Sequence, residues 1–371
     1  MDFAYSPEHA ELGAVVRKFL AEVSPESEVR RLMTEEQGCN PAVWNRMATE
    51  IGVQSLAIPE QFGGSGFGLL ELGVVFEETG RALLPAPLLS SVGSAAHALL
   101  ASGAEGACAR YLPDIASGRL VATLALTEES GSWTEQAVTT RAVAGSSGWQ
   151  VTGTKCYVLD GQRAHLLLVV ARSEAGTGLF AIDREAAGVQ VAPQPTLDPT
   201  RRFATVELRD APAQLVGADG AGWAAVEQAL LVSAVLLAAE QVGGTSAVLD
   251  MAVEYAKTRE QFGRPIGSFQ AIKHKAAEML LRLEAARSAV LYALWSLQTA
   301  ADDRRAAVSL AKSYCSEAFS FCAGENMQIH GGIGFTWEHS AHLYLRRAKS
   351  CESLFGSPTF HRERIAALAG F

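Results

Sequence analysis

Two glycine-punctuated stretches in the last third of the chain carry side chains suited to gripping a phosphate or a nucleotide. In TREQFGRPIGSFQAIKHK (258–275), Arg259 stands where a helical run ends, FGRPIGS turns the chain, and Gln270 opens the next helix. A guanidinium is a planar, permanently charged fork that matches phosphate oxygens, and the free backbone N–H groups of a first helical turn favour an anion. The same spacing also suits a plain helix–turn–helix corner with Arg259 in solvent. In QIHGGIGFTWEH (328–339), the Gln328 amide precedes His330, Gly331, Gly332 and Gly334. Glycines there let the backbone lie against an adenine or ribose that the amide hydrogen-bonds, or they simply end the helix and turn the chain. His330 reads as a packed or solvated neighbour of this loop, not as a catalyst.

These side chains need a scaffold, and 371 residues that are 49% apolar can fill sizeable cores. A formal charge of −9 with no dense Lys/Arg run argues against a nucleic-acid surface. The N-terminus lacks the basic and apolar blocks of a signal peptide. The most apolar window, ALLVSAVLLAA (229–239), is far short of the roughly 20 residues a bilayer requires, so it reads as a buried core helix. Six scattered cysteines, with no C-x-x-C and no metal-ligand spacing, read as reduced thiols without a metal. A soluble cytoplasmic protein is expected.

Three blocks follow in order. Residues 1–118 read as an N-terminal helical domain, opening with Ser6 as N-cap and Pro7 at the first helical position, and broken by IPEQFGGSGFG (58–68). Over 119–220 the period changes: RLVATLALTE, WQVTGTKCYVLDG, HLLLVVAR, GLFAID, GVQVA and FATVELRD are short, β-branched runs divided by turn residues. They predict a compact antiparallel β domain, a small barrel or sandwich. No helix separates them and no G-x-G-x-x-G follows a strand, which argues against a dinucleotide βαβ unit. From 221 to 371 the helical period returns. Ile272, Ala276, Met279, Leu283, Ala286, Val290, Leu294 and Leu297 form one apolar stripe, as in an antiparallel bundle whose spare face meets another subunit.

Taken together, YAKTREQFGRPIGSFQAIKH, QIHGGIGFTWEH with HLYLRRAK behind it, and IPEQFGGSGFG closely resemble the acyl-CoA dehydrogenase flavoprotein family; LALTEESGSW and VTGTKCYV match less tightly. The resemblance covers essentially the whole chain. It implies a mostly α fold with a central antiparallel β domain: N-terminal helical domain, β barrel or sandwich, and C-terminal four-helix bundle. It further implies FAD between the β domain and the bundle, with a second subunit completing the site. Arg259 matches the residue that reaches the FAD pyrophosphate of a neighbouring subunit, with Phe262 and Gln270 as its companions around the adenosine. Gln328, Gly331 and Gly332 match the loop closing over that end. Leu126 and Thr127 match the pair whose backbone and hydroxyl meet the flavin ring. Tyr157 replaces a stacking aromatic residue, usually tryptophan, and Leu159 replaces a Thr or Ser near flavin N5. Implied partners are an acyl-CoA or acyl-carrier thioester and an electron-transfer flavoprotein. The assembly would be a homodimer, a homotetramer or a pairing with a related dehydrogenase subunit.

The family's reaction removes a proton α to a thioester, and the resemblance puts the usual carboxylate base at one of two positions. Here they hold Phe355 and Ser233. Neither side chain is a base near neutral pH. Three acids lie nearby in sequence: Glu352, three residues before Phe355, and Glu240 and Glu227 on the helix of Ser233. Each reads more simply as a solvated or structurally paired acid, and Glu352 is the weak substitute. Trp133 replaces a small residue often found by the pantetheine. Three functions stay open: an acyl thioester dehydrogenase with a displaced base, a non-catalytic subunit of a mixed oligomer, and a flavin oxidase or oxygenase on the same scaffold.

Overall fold

A computed structural model describes residues 5–146 and 148–371. The helices, in chain order, are α1 (Pro7–Val23), α2 (Glu26–Thr34), α3 (Pro41–Arg46), α4 (Leu69–Arg81), α5 (His97–Ala101), α6 (Glu105–Ala116), α7 (Trp223–Thr258), α8 (Gln270–Gln298), α9 (Arg304–His330), α10 (Ala341–Ser353) and α11 (Pro358–Leu368). The strands are β1 (Ala122–Ala125), β2 (Arg141–Gly145), β3 (Gly148–Leu159), β4 (Leu166–Arg172), β5 (Thr177–Asp183), β6 (Val189–Gln194), β7 (Phe203–Val216), β8 (Glu260–Gln261) and β9 (Arg264–Pro265). Contacts divide the chain into two compact units. The first holds residues up to Arg31, Leu69–Leu84 and Ala234–Phe371; the second holds Leu32–Gly68 and Pro85–Ser233.

In the second unit, strand pairing runs β1-β4-β2-β3-β7-β5, β6 adds to β7, and β4 also pairs with β5. The ladder β4-β2-β3-β7-β5 therefore returns to β4, as a small barrel requires. The pairing is largely antiparallel, as the strand spacing predicts, but β1 joins β4 in parallel, Ala122 opposite Leu166. Val151, Leu167, Val169, Phe180, Ile182 and Val206 fill the core. The π-helical turn Leu89–Ala96 is wholly buried, and its serines bond within the unit: Ser90 to Asp160 at 2.7 Å and Ser91 to the Ala122 amide at 3.2 Å.

The first unit is a helical bundle. Ser6 caps α1 as its sequence predicts, accepting from the His9 amide. The apolar stripe of α8 is buried from Met279 to Leu297, while Ile272 and Ala276 at its start are half-buried. It packs on α9, running antiparallel: Cys315 Sγ lies 3.8 Å from Ala286 O and Cys322 Sγ 3.8 Å from Met279 O. Glycine is required where α4 crosses α7. A Cβ on Gly80 would stand 1.9 Å from Glu240 O, and one on Gly243 would stand 1.7 Å from Glu77 O, so only bare backbones fit this approach. Helix α7 is long and apolar enough to cross a bilayer, yet its most apolar window is 78% buried in protein, as expected of a core helix. All six thiols are free.

Candidate functional site

In the first unit, α7 stops at Thr258 and the chain folds into the β8–β9 hairpin, whose two turn residues, Phe262 and Gly263, both have positive φ (55° and 74°). Glycine adopts such a turn readily; a phenylalanine does so at a cost of about 1–2 kcal/mol. Phe262 is also 92% exposed, touching Phe269 edge-on at 6.1 Å. A strained backbone that also holds a ring in solvent makes Phe262 a candidate for contact with an external group. Gln270 opens α8 as the sequence predicts, and no side chain caps that first turn.

Gln328 stands exposed on the last turn of α9, and Gly331, at φ 63°, ends the helix. Nothing lies within 4 Å of a Cβ placed on Gly331 or Gly332, so within the chain only the φ of Gly331 calls for glycine. Both glycines are exposed. Among the described residues, neither the Arg259 guanidinium nor the Gln328 amide has a polar partner. What joins the two segments is an aromatic stack that sequence spacing does not reveal. Tyr255, one turn before Arg259, lies on His330 with centroids 4.2 Å apart, and His339 packs on the other side at 4.3 Å. His330 is 4% exposed, its Nδ1 lies 2.8 Å from Asn326 O, and burial lowers its pKa. It is a packed residue, as expected. Exposed Arg259 and Gln328, a bare glycine turn and an exposed aromatic ring suit an adenosine diphosphate moiety such as that of FAD.

In the second unit, β3 departs from β7 after Lys155. Lys155 faces Val206 and Val158 faces Ala204, so Cys156 and Tyr157 bulge outward, Tyr157 with φ 56°. The bulge pairs instead with Thr127: the Cys156 amide donates to Thr127 O at 2.8 Å, and the Thr127 hydroxyl donates to Cys156 O at 2.6 Å. The hydroxyl assigned to the flavin ring is thus already a donor here and retains only lone pairs to offer. Tyr157 is 44% exposed, whereas Leu159 is buried, its carbonyl accepting from the Thr123 hydroxyl. The sequence did not single out Lys155 or Glu128, which form a buried ion pair at 2.8 Å directly beneath this bulge.

The positions read as base sites are spent. Ser233 is fully buried; its hydroxyl donates to Ala229 O at 2.7 Å and shares a hydrogen bond with Ser94 at 2.8 Å. Phe355, with φ 59°, sits in a turn braced from below. Lys312 Nζ donates to the carbonyls of Cys351 (3.0 Å) and Gly356 (3.1 Å), and His361 Nε2 donates to Phe355 O (3.1 Å). Burial, then the Lys312 charge, push the His361 pKa down to about 3, so the ring is neutral. Glu240 is buried against Arg347 at 2.5 Å. Glu352 pairs with Lys349 at 2.9 Å and accepts from Ser320 at 3.1 Å, as a partly exposed, structurally paired acid. Glu227 is half-buried on α7.

Comparison with known proteins covers nearly the whole chain. Models of the acyl-CoA dehydrogenase N-terminal, middle and C-terminal domains match residues 6–119, 123–210 and 220–369. Acyl-CoA dehydrogenase IpdE2 of Mycolicibacterium smegmatis is 35% identical over 344 residues, 93% of either chain. The ChsE4–ChsE5 complex from Mycobacterium tuberculosis contains a chain 31% identical, with a TM-score of 0.91 over the full length of both. PigA, solved with FAD and proline, shares the fold at 23% identity and a TM-score of 0.92, covering 100% of this chain and 99% of PigA.

Proposed function

This chain belongs to the acyl-CoA dehydrogenase family, a family of oxidoreductases, and from that premise we propose that it serves FAD-dependent α,β-dehydrogenation of an acyl thioester. The observation carrying this reading is the pair of polar side chains without partners, Arg259 and Gln328, presented on helix ends joined by the Tyr255–His330 stack. Arg259, Phe262, Gln270, Gln328 and the Gly331–Gly332 turn would hold the adenosine diphosphate end of FAD. Leu126, Thr127 and Tyr157 would meet the ring, with Leu159 offering no polar group near it. FAD supplies the hydride acceptor. The thioester is carried on CoA or a carrier protein, and an electron-transfer flavoprotein takes the electrons onward.

The proton must leave the α carbon to a base that is neither Phe355 nor Ser233. A general base contributes about 10²–10⁴-fold in rate. With Glu240 and Glu352 engaged in ion pairs, a second reading gains support: the chain completes a flavin site in a mixed oligomer whose partner subunit brings the carboxylate. A relative solved as a two-protein complex points the same way. The experiment is an anaerobic titration of the purified chain with FAD and a panel of acyl-CoAs. Visible flavin absorption that bleaches with an acyl-CoA supports a displaced base within this chain. Flavin that binds but bleaches only after a related dehydrogenase subunit is added supports the mixed oligomer. A chain that remains colourless with added FAD, alone and mixed, overturns both.

A further inference from the structure

Lys155 has no solvent exposure on β3, where its neighbour Thr154 is exposed. Taking an ammonium out of water costs several kcal/mol unless an opposite charge and hydrogen-bond acceptors replace the water. Its partners are specific: Nζ donates to Leu126 O at 3.0 Å and to Glu128 Oε1 at 2.8 Å. The Glu128 carboxylate is itself saturated, accepting from the backbone N–H groups of Thr139 and Thr140 and from both their hydroxyls. The Lys155 end of this network lies next to the bulge, and the Glu128 end anchors it to Thr139 and Thr140 just before β2. Lys155 immediately precedes Cys156 and Tyr157 on β3, and Leu126 immediately precedes Thr127. The Lys155–Leu126 bond and the reciprocal Thr127–Cys156 bonds are therefore successive rungs between two segments that no regular ladder joins. The outer side of the bulge is fixed too, the Tyr157 amide donating to Gln194 at 2.9 Å.

We propose that Lys155 is a positioning residue for flavin binding: its ammonium, neutralised by Glu128, clamps Leu126–Thr127 to the Cys156–Tyr157 bulge and so sets the angle at which Tyr157 meets the ring. This rests on the reading that these residues face the flavin. A buried pair that served only to brace the barrel would have no need to place its donor on Leu126 O, one residue from Thr127. The unrelated pair Arg347–Glu240 in the first unit gives a control, because its loss touches none of these segments.

The test compares full-length Lys155→Met, Lys155→Arg, the double variant Lys155→Met/Glu128→Gln, and Arg347→Met. Amide hydrogen exchange at Cys156 and Tyr157 is followed without cofactor; FAD affinity and the positions of the visible flavin bands are followed with it. Lys155→Met is expected to speed exchange at Cys156 by about tenfold or more, to weaken FAD by about tenfold and to displace the flavin bands. Lys155→Arg is expected to recover part of each change. The double variant leaves no lone buried charge, and the amide carbonyl introduced by Glu128→Gln still accepts from Thr139 and Thr140, so it is expected to fold and still to exchange fast at Cys156; it carries the test if the single variant does not fold. Arg347→Met is expected to lose stability with flavin bands unmoved. Parental exchange at Cys156 in the double variant overturns the clamp. Fast exchange with unmoved flavin bands and unchanged FAD affinity overturns its role in positioning. Should the parent bind no FAD, the flavin reading falls, and with it the positioning role, while the exchange data still judge the clamp separately.

Discussion

The His330 ring lies on Tyr255 with centroids 4.2 Å apart and planes within 25° of parallel. With the Asn326–Met251 contact, it ties the end of α7, which carries Arg259, to the end of α9, which carries Gln328, so that two helix termini form one edge. The edge is polar and bare, and its energetics separate binding from folding.

Arg259→Ala and Gln328→Ala should each leave thermal stability nearly unchanged, within about 0.5 kcal/mol, because exposed side chains without partners hold nothing in the fold. Each should weaken FAD by about tenfold, equivalent to about 1.4 kcal/mol. Paired thermal melts and flavin fluorescence titrations check both halves. A variant that loses stability and keeps FAD would contradict the assignment.

Phe262→Gly moves the two properties in opposite directions. Glycine relieves the positive φ of the β8–β9 turn, so stability should hold or rise by a fraction of a kcal/mol, offset by the freer unfolded chain. Loss of the exposed ring should reduce FAD affinity. Calorimetry of the variant with and without cofactor is the measurement.

The turn at Phe355 offers a gain of function. Its φ of 59°, its Lys312 brace and its His361 hydrogen bond all belong to the backbone or to neighbours, so Phe355→Glu retains them. Acyl-CoA-dependent flavin reduction should rise by about 10²–10⁴-fold if that position faces the thioester α carbon. Stopped-flow reduction of the parent and variant gives the ratio; no increase would place the α carbon elsewhere. Gly356→Ala is the structural counterpart. Its Cβ would stand 2.5 Å from the Phe360 ring at a φ of 108°, so the variant should be strongly destabilised.

Acid should unfold the bundle partly through His361. Its pKa is depressed to about 3 by burial, against about 6.5 in an unfolded chain, so the unfolded state binds the extra proton as pH falls below about 6.5. The stability it contributes is complete above that value and is lost progressively down to about pH 3. By pH 5 the loss from this one ring is about 2 kcal/mol. A pH series of denaturation midpoints should be shallower in His361→Asn over that window. An unchanged slope would show that the ring does not titrate as its burial requires.

Composition and period made much of this molecule legible. Ser6 and Pro7 set the start of α1, because caps are local chemistry. The 3–4 spacing from Met279 to Leu297 gave the buried stripe of α8, because a helix repeats one face. The β-branched runs from 119 to 220 gave six of the seven strands of the sheet for a similar reason, and they missed β2, whose short RAVAG sequence, with a single buried residue, carries no alternation signal. The motifs around Arg259 and Gln328 gave the family and the polar edge. Tertiary structure alone decided what lies far apart in sequence: the Tyr255–His330 stack, the commitment of Glu240 to Arg347, and the Lys155–Glu128 pair beneath a one-residue bulge. Local patterns report which face of an element is buried, but the partner of a buried charge is fixed by register and by helix crossing. Those depend on where the whole chain has folded.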